Sequence, residues 1–178
     1  MMDGLDIPRP RQTAEEDRRT PMSGLPRPGG ARAGTGVRTA VFGSQPTQAA
    51  QIRSWCQRGI GVPAHQAFPL LLVASELVAN AWLHTASGAE GGRVKVQMRS
   101  LSGRLVRIAV TDDGPRPTQP VRLPRLSPRT DALAEGGRGL RLVDRLSVRW
   151  GWDGELGKPL TVWAHIDLYA SLPEDVES

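Results

Sequence analysis

Between Arg93 and Arg99 the chain alternates strictly, with Val94, Val96 and Met98 on one side and Arg93, Lys95, Gln97 and Arg99 on the other. A period of two places successive side chains on opposite faces, which predicts a half-buried strand. Ser102-Gly103 marks a turn, and the more apolar Leu105–Val110 is expected to return beside it. Leu160–Leu168 alternates in the same way over most of its length, with Val162, Ala164, Ile166 and Leu168 facing inward. Val37–Phe42 and Val148–Trp152 complete the expected strands.

Helical spacing governs other stretches. From Thr47 to Arg58, Ala50, Ile52, Trp55 and Cys56 form an apolar stripe, and Gly59 and Gly61 mark the expected helix end. Gln66–His84 is apolar around much of its circumference, as befits a helix buried between a sheet and other elements. Pro69 is expected in its first turn, because an interior proline loses a hydrogen bond and clashes with the preceding turn. A short helix is expected from Leu140 to Leu146. The sum is an α/β domain: a two-layer sandwich with a mixed, mostly antiparallel sheet and helices on one face.

This pattern occupies residues 37–170. Residues 1–36 are rich in Pro, Arg, Gly and Thr and lack periodic apolar positions, which predicts a disordered arm. Residues 171–178, with Glu174, Asp175 and Glu177, predict an acidic tail. Gly114–Glu135 holds prolines at 115, 117, 120, 124 and 128 and little periodicity. Long irregular loops of this kind inside a domain are usually functional.

Composition narrows the function classes. A chain of 178 residues supports one full core. The net charge of +5 comes mostly from arginine, since lysine occurs only at Lys95 and Lys158. The arginines are scattered rather than gathered in a run, so direct nucleic-acid binding is not the expectation. A single cysteine, Cys56, excludes an intrachain disulfide and a thiolate zinc site. The longest apolar stretch, Phe68–Ala74, is too short to span a bilayer, and acidic residues and prolines stand where a secretory leader would be apolar. A cytoplasmic protein without a membrane partner is the expectation.

Three polar groups interrupt the apolar framework. Glu76 and Asn80 lie four residues apart and share a helix face, which His84 can extend. An amide oxygen suits Mg²⁺, and an adjacent carboxylate can accept a proton; two solvent-facing polar residues are the ordinary alternative. Asp112-Asp113-Gly114 ends an apolar strand. A carboxylate there can accept from an NH₂ group such as that of adenine, and glycine lets a planar base approach; a strand entering a turn looks the same. Gly136-Gly137-Arg138-Gly139-Leu140 opens a helix whose free amides can hold phosphates, or forms a plain hinge.

In order and context, Glu76-Leu77-Val78-Ala79-Asn80-Ala81 with His84, then Asp112-Asp113-Gly114, then Gly136–Leu140, resemble the N, G1 and G2 boxes of the GHKL ATPase superfamily. The run through Leu142-Val143-Asp144-Arg145-Leu146 to Trp150-Gly151 resembles its anti-sigma-factor or serine-kinase branch. The resemblance covers roughly residues 37–168 and implies a Bergerat fold that binds ATP and Mg²⁺. It implies Asp112 for the adenine amino group, Asn80 for Mg²⁺, Glu76 as catalytic base, and Gly137 and Gly139 over the phosphates, with 115–135 as a lid. It further implies protein partners, a sigma factor or an anti-sigma antagonist, and a homodimer. Arg116 departs from the pattern: many members carry a second G1 glycine there, and the expected effect is a stiffer or narrower adenine end.

Overall fold

The structure, a computed structural model, describes residues 36–117, 119–121, 123–126 and 138–171. The arm before residue 36, the acidic tail from 172, Gly136, Gly137 and most of the expected lid lie outside these residues.

Among the described residues the elements run β1 (Arg38–Gly43), α1 (Gln48–Ile60), α2 (Ala64–His84), a 3₁₀ turn (Ala86–Gly88), β2 (Arg93–Ser100), β3 (Leu105–Thr111), α3 (Arg138–Leu146), β4 (Arg149–Asp153) and β5 (Thr161–Asp167). The strands form one sheet in the order β1-β2-β3-β5-β4. Every pairing is antiparallel.

Alternation decides which face meets the helices. Val94, Val96 and Met98 of β2, Val106, Ile108 and Val110 of β3, and Ala164 and Ile166 of β5 are all buried. They pack with Ile52 and Cys56 of α1, Leu70, Val73, Leu77 and Val78 of α2, and Val143 of α3. Each large member, such as Leu70, Leu77 or Ile108, contributes about 1.5–3 kcal/mol by leaving water. The other sheet face carries no helix among the described residues. The result is the two-layer sandwich with helices on one face.

Two expected boundaries move. α1 runs past Gly59 to Ile60, and Gly61, in the left-handed conformation at φ 64°, ends it. α2 starts at Ala64, behind Pro63, so Pro69 lies in its second turn and not its first. Pro69 leaves the carbonyl of His65 without a helical donor, but His65 is exposed and water can serve it. The proline ring itself is buried.

α2 spans 21 residues, and its most apolar 18-residue stretch has a mean hydropathy of 1.3, long and apolar enough by those measures to cross a membrane. Its apolar side packs on the sheet, which makes it the central core helix. Cys56 is buried, and that burial pushes its thiol up to about 12, an inert group.

Candidate functional site

α2 positions both halves of the site. At its middle, Glu76 and Asn80 sit one turn apart on the side that meets the start of α3. The approach there is close: a Cβ on Gly139 would lie 2.5 Å from Glu76 Oε2, 3.5 Å from Asn80 Oδ1 and 3.6 Å from Asn80 Nδ2. Glycine at 139 therefore lets the first turn of α3 rest against the carboxylate and the amide. Among the described residues α3 begins at Arg138, and the amides of Gly139 and Leu140 lie in its first described turn. Leu140 packs its side chain on the core, which fixes the turn in place. Arg138 is exposed at the helix start.

Burial raises the pKa of Glu76 above the usual glutamate value, which makes it a stronger proton acceptor. Asn80 Nδ2 is buried with no hydrogen-bond partner among the described residues. A buried amide left partly unpaired is costly, and a ligand is one way to satisfy it. Because amide oxygen and nitrogen interchange by a flip, the same group can turn its oxygen to a cation.

The other half lies at the C-terminal end of α2, roughly 8 Å further along its axis at five residues past Asn80. Asp112 follows β3, and its Oδ1 accepts from the amides of Gly114 at 2.6 Å and Leu160 at 3.1 Å. No described residue donates to Oδ2, so one carboxylate oxygen is left for a ligand. Burial raises the Asp112 pKa, opposed by those two backbone bonds. Gly114 is buried at φ 89°, a conformation other residues rarely adopt, and its carbonyl accepts from Ala86 at 2.8 Å. Ser87 Oγ, fully buried, accepts from the amide of Asp113 at 2.8 Å.

Arg116 does something the sequence did not suggest. Its Nε and one terminal nitrogen donate to the carbonyls of Thr85 at 2.8 Å and Trp82 at 2.7 Å. It caps the last turn of α2, where a positive charge is favourable. His84, exposed in that same turn, continues the stripe of Glu76 and Asn80 by helical spacing.

The structure thus brings Glu76, Asn80 and Gly139 together and ties Asp112–Gly114 to the end of the same helix. Reading the sequence missed Leu160, whose amide holds Asp112, and the Thr85–Ser87 turn beneath Asp113. Leu160 acts through its backbone, so its side chain carries no signal. Thr85 and Ser87 carried one, since hydroxyls two residues apart after a helix often cap it.

A carboxylate oxygen without a described donor near the end of α2, and a buried amide with no described partner beside Gly139 at its middle, are groups suited to a nucleotide. The chain belongs to the histidine kinase-like ATPase domain family, which it matches over residues 42–162, from the end of β1 into β5. No curated protein matches it.

The residues fit the groups that this family implies. Mg²⁺ is usually held by one or two protein oxygens together with substrate phosphates and water. Asn80 offers one such oxygen, and among the described residues no cluster of three His, Cys, Asp or Glu offers a self-sufficient metal cage.

Proposed function

We propose that this chain is a cytoplasmic regulator of the anti-sigma type that binds ATP with Mg²⁺ and phosphorylates a serine or threonine of a protein antagonist. The observation that carries the reading is the seating of Gly139 against both Glu76 and Asn80. It brings a carboxylate and a side-chain amide close to the first described turn of α3, groups that suit proton acceptance and cation binding.

Each residue then has a task. The free oxygen of Asp112 accepts from the adenine amino group, and Gly114, whose amide donates to the other oxygen, holds that carboxylate in place. Asn80 turns its amide oxygen to Mg²⁺, which when bound neutralises phosphate charge. The amides of Gly139 and Leu140 face the phosphates. Glu76 takes the proton from the partner's hydroxyl as its oxygen bonds to the γ-phosphorus and ADP leaves. Positioning and electrostatics supply most of the rate in such transfers.

Calorimetry and thermal unfolding with ATP test the pocket. At about 100 times its Kd, ATP adds roughly 2.7 kcal/mol of stability. Asp112→Asn should weaken binding with and without Mg²⁺, and Asn80→Ala should remove mainly the Mg²⁺ dependence. No response of the wild type to millimolar ATP would overturn the assignment. Transfer of the γ-phosphate to a purified antagonist, abolished by Glu76→Gln, tests the kinase step.

Arg116 favours a second reading, a nucleotide-gated adaptor without turnover. Its guanidinium holds the end of α2, at the position where the family resemblance implies a second glycine. Binding of ATP without transfer to any partner would select it.

A further inference from the structure

The sheet face away from the helices carries an unusual row. Arg99 of β2 pairs in register with Arg107 of β3, Arg107 with His165 of β5, and His165 with Arg149 of β4. Four successive strands therefore place three guanidinium groups and an imidazole side by side across the sheet. Like charges directly opposite one another destabilise a sheet, so the row calls for a partner.

Little within the described residues neutralises it. Arg99 is exposed and makes no ion pair or hydrogen bond with them. Arg107 reaches Asp153 at 3.4 Å, a loose contact to an exposed carboxylate. Asp167 is taken by Arg104, one register position away. Arg149 donates to His165 Nδ1 at 3.3 Å, so the imidazole serves as an acceptor and stays neutral. Burial first, then Arg149, Arg107 and Arg99, pull the pKa of His165 down to about 4.

At the β1 side the row ends in a shallow hollow of about 230 Å³, lined by Val37, Gln97, Met98, Arg99 and Arg107. Val37 is 55% exposed there. The row and the hollow together describe a complementary shape.

We propose that this open sheet face docks an acidic helix of a protein partner. The helix crosses the strands with its carboxylates on Arg99, Arg107 and Arg149 and an apolar side chain in the hollow. Three strand spacings of about 4.8 Å give a row roughly 14 Å long, or about ten residues of helix. Glutamates or aspartates three and four apart on a helix are about 5–6 Å from one another, close to the strand spacing. Guanidinium groups match carboxylates in two-bond geometry, which a row of lysines would not.

Single-stranded nucleic acid fits less well, because it needs open aromatic platforms. Trp163, the indole on this face, has Arg107 at 5.2 Å and Arg149 at 5.6 Å from its ring, and Gly151 packs under it. A second copy of this face would bring arginine against arginine. The surface lies on the opposite side of the sheet from the helices that carry Glu76, Asn80 and Gly139, so it stands whether or not the proposed site holds ATP.

The test uses the full chain and a labelled alanine-based helical peptide of about sixteen residues, with one terminal leucine and glutamate at every third or fourth position. Fluorescence anisotropy should show saturable binding that weakens with salt. It should drop about tenfold for Arg99→Gln with Arg149→Gln, and should vanish when the glutamates become glutamines. Arg99→Gln alone guards against misfolding, because that side chain touches no described partner, and it should weaken binding by itself. Equal affinity for wild type and both variants overturns the proposal, as does no binding at about 1 mM peptide. Tighter binding of an oligothymidylate, lost with the same arginines, would assign the face to nucleic acid instead.

Discussion

Glu76 is held where a carboxylate is expensive, and this has two measurable consequences. Its folded pKa is raised by burial. The penalty is therefore absent below the unfolded value of 4.5 and full once pH exceeds the folded value. Glu76→Gln should stabilise the nucleotide-free protein by a few tenths of a kcal/mol at neutral pH, after allowance for solvent screening, and by nothing near pH 4. Urea titrations at the two pH values check this, and the same variant should lose phosphotransfer. Two glycines separate function from fabric in a similar way. A Cβ at Gly139 would press on the end of the Glu76 side chain, which can swing aside. Gly139→Ala should leave stability within about 1 kcal/mol while lowering transfer roughly tenfold or more, by displacing the base. A Cβ at Gly88 would instead lie 1.8 Å from the backbone oxygen of Trp82, which cannot yield. Gly88→Ala should cost more than about 3 kcal/mol, seen as a lowered urea midpoint.

At the scale of elements, α2 links everything: core on one side, Glu76 and Asn80 toward α3, and a last turn fastened to the loop after β3. Arg116 is the fastener. Arg116→Ala should destabilise the protein by about 1.5–3 kcal/mol through loss of two charged hydrogen bonds to carbonyls. The nucleotide-free protein shows this directly in urea. If the arginine merely narrowed the adenine end, the variant would bind ATP more tightly with unchanged stability. The strands were legible from alternation because β2, β3 and β5 each bury one face, so a period of two is written into their side chains. Pro69 was misplaced because the helix start is set by Pro63 and exposed residues that carry no period. The seating of Gly139 on Glu76 was invisible, since it depends on how α3 docks across 63 positions of chain (139 minus 76). The grip of Leu160 on Asp112 was invisible too, since it arises from strand pairing and uses only backbone.

Across the whole molecule, one sheet separates two chemistries. Its helical side carries the Glu76 and Asp112 carboxylates, the Asn80 amide and Gly139, while its open side gathers arginine. The sequence showed those arginines only as scattered, because Arg99, Arg107 and Arg149 become neighbours, with His165 between the last two, only through the strand order β2-β3-β5-β4. Their assembly carries a stability cost that can be read without any partner. Arg99 faces Arg107 in register and gains nothing visible in return, so removing its charge relieves repulsion. Arg99→Gln should therefore raise stability by about 0.2–1 kcal/mol at low ionic strength. The gain should fade near 0.5 M salt, where the screening length is down to roughly 4 Å. Arg149→Gln should behave oppositely, because it loses the bond to His165 and the stacking on Trp163. Chemical denaturation with urea, which leaves ionic strength unchanged, measures both. A chain that keeps an unpaired arginine at a net cost to its own fold is keeping it for something outside the fold; stability that does not rise on removing Arg99 would take that argument away.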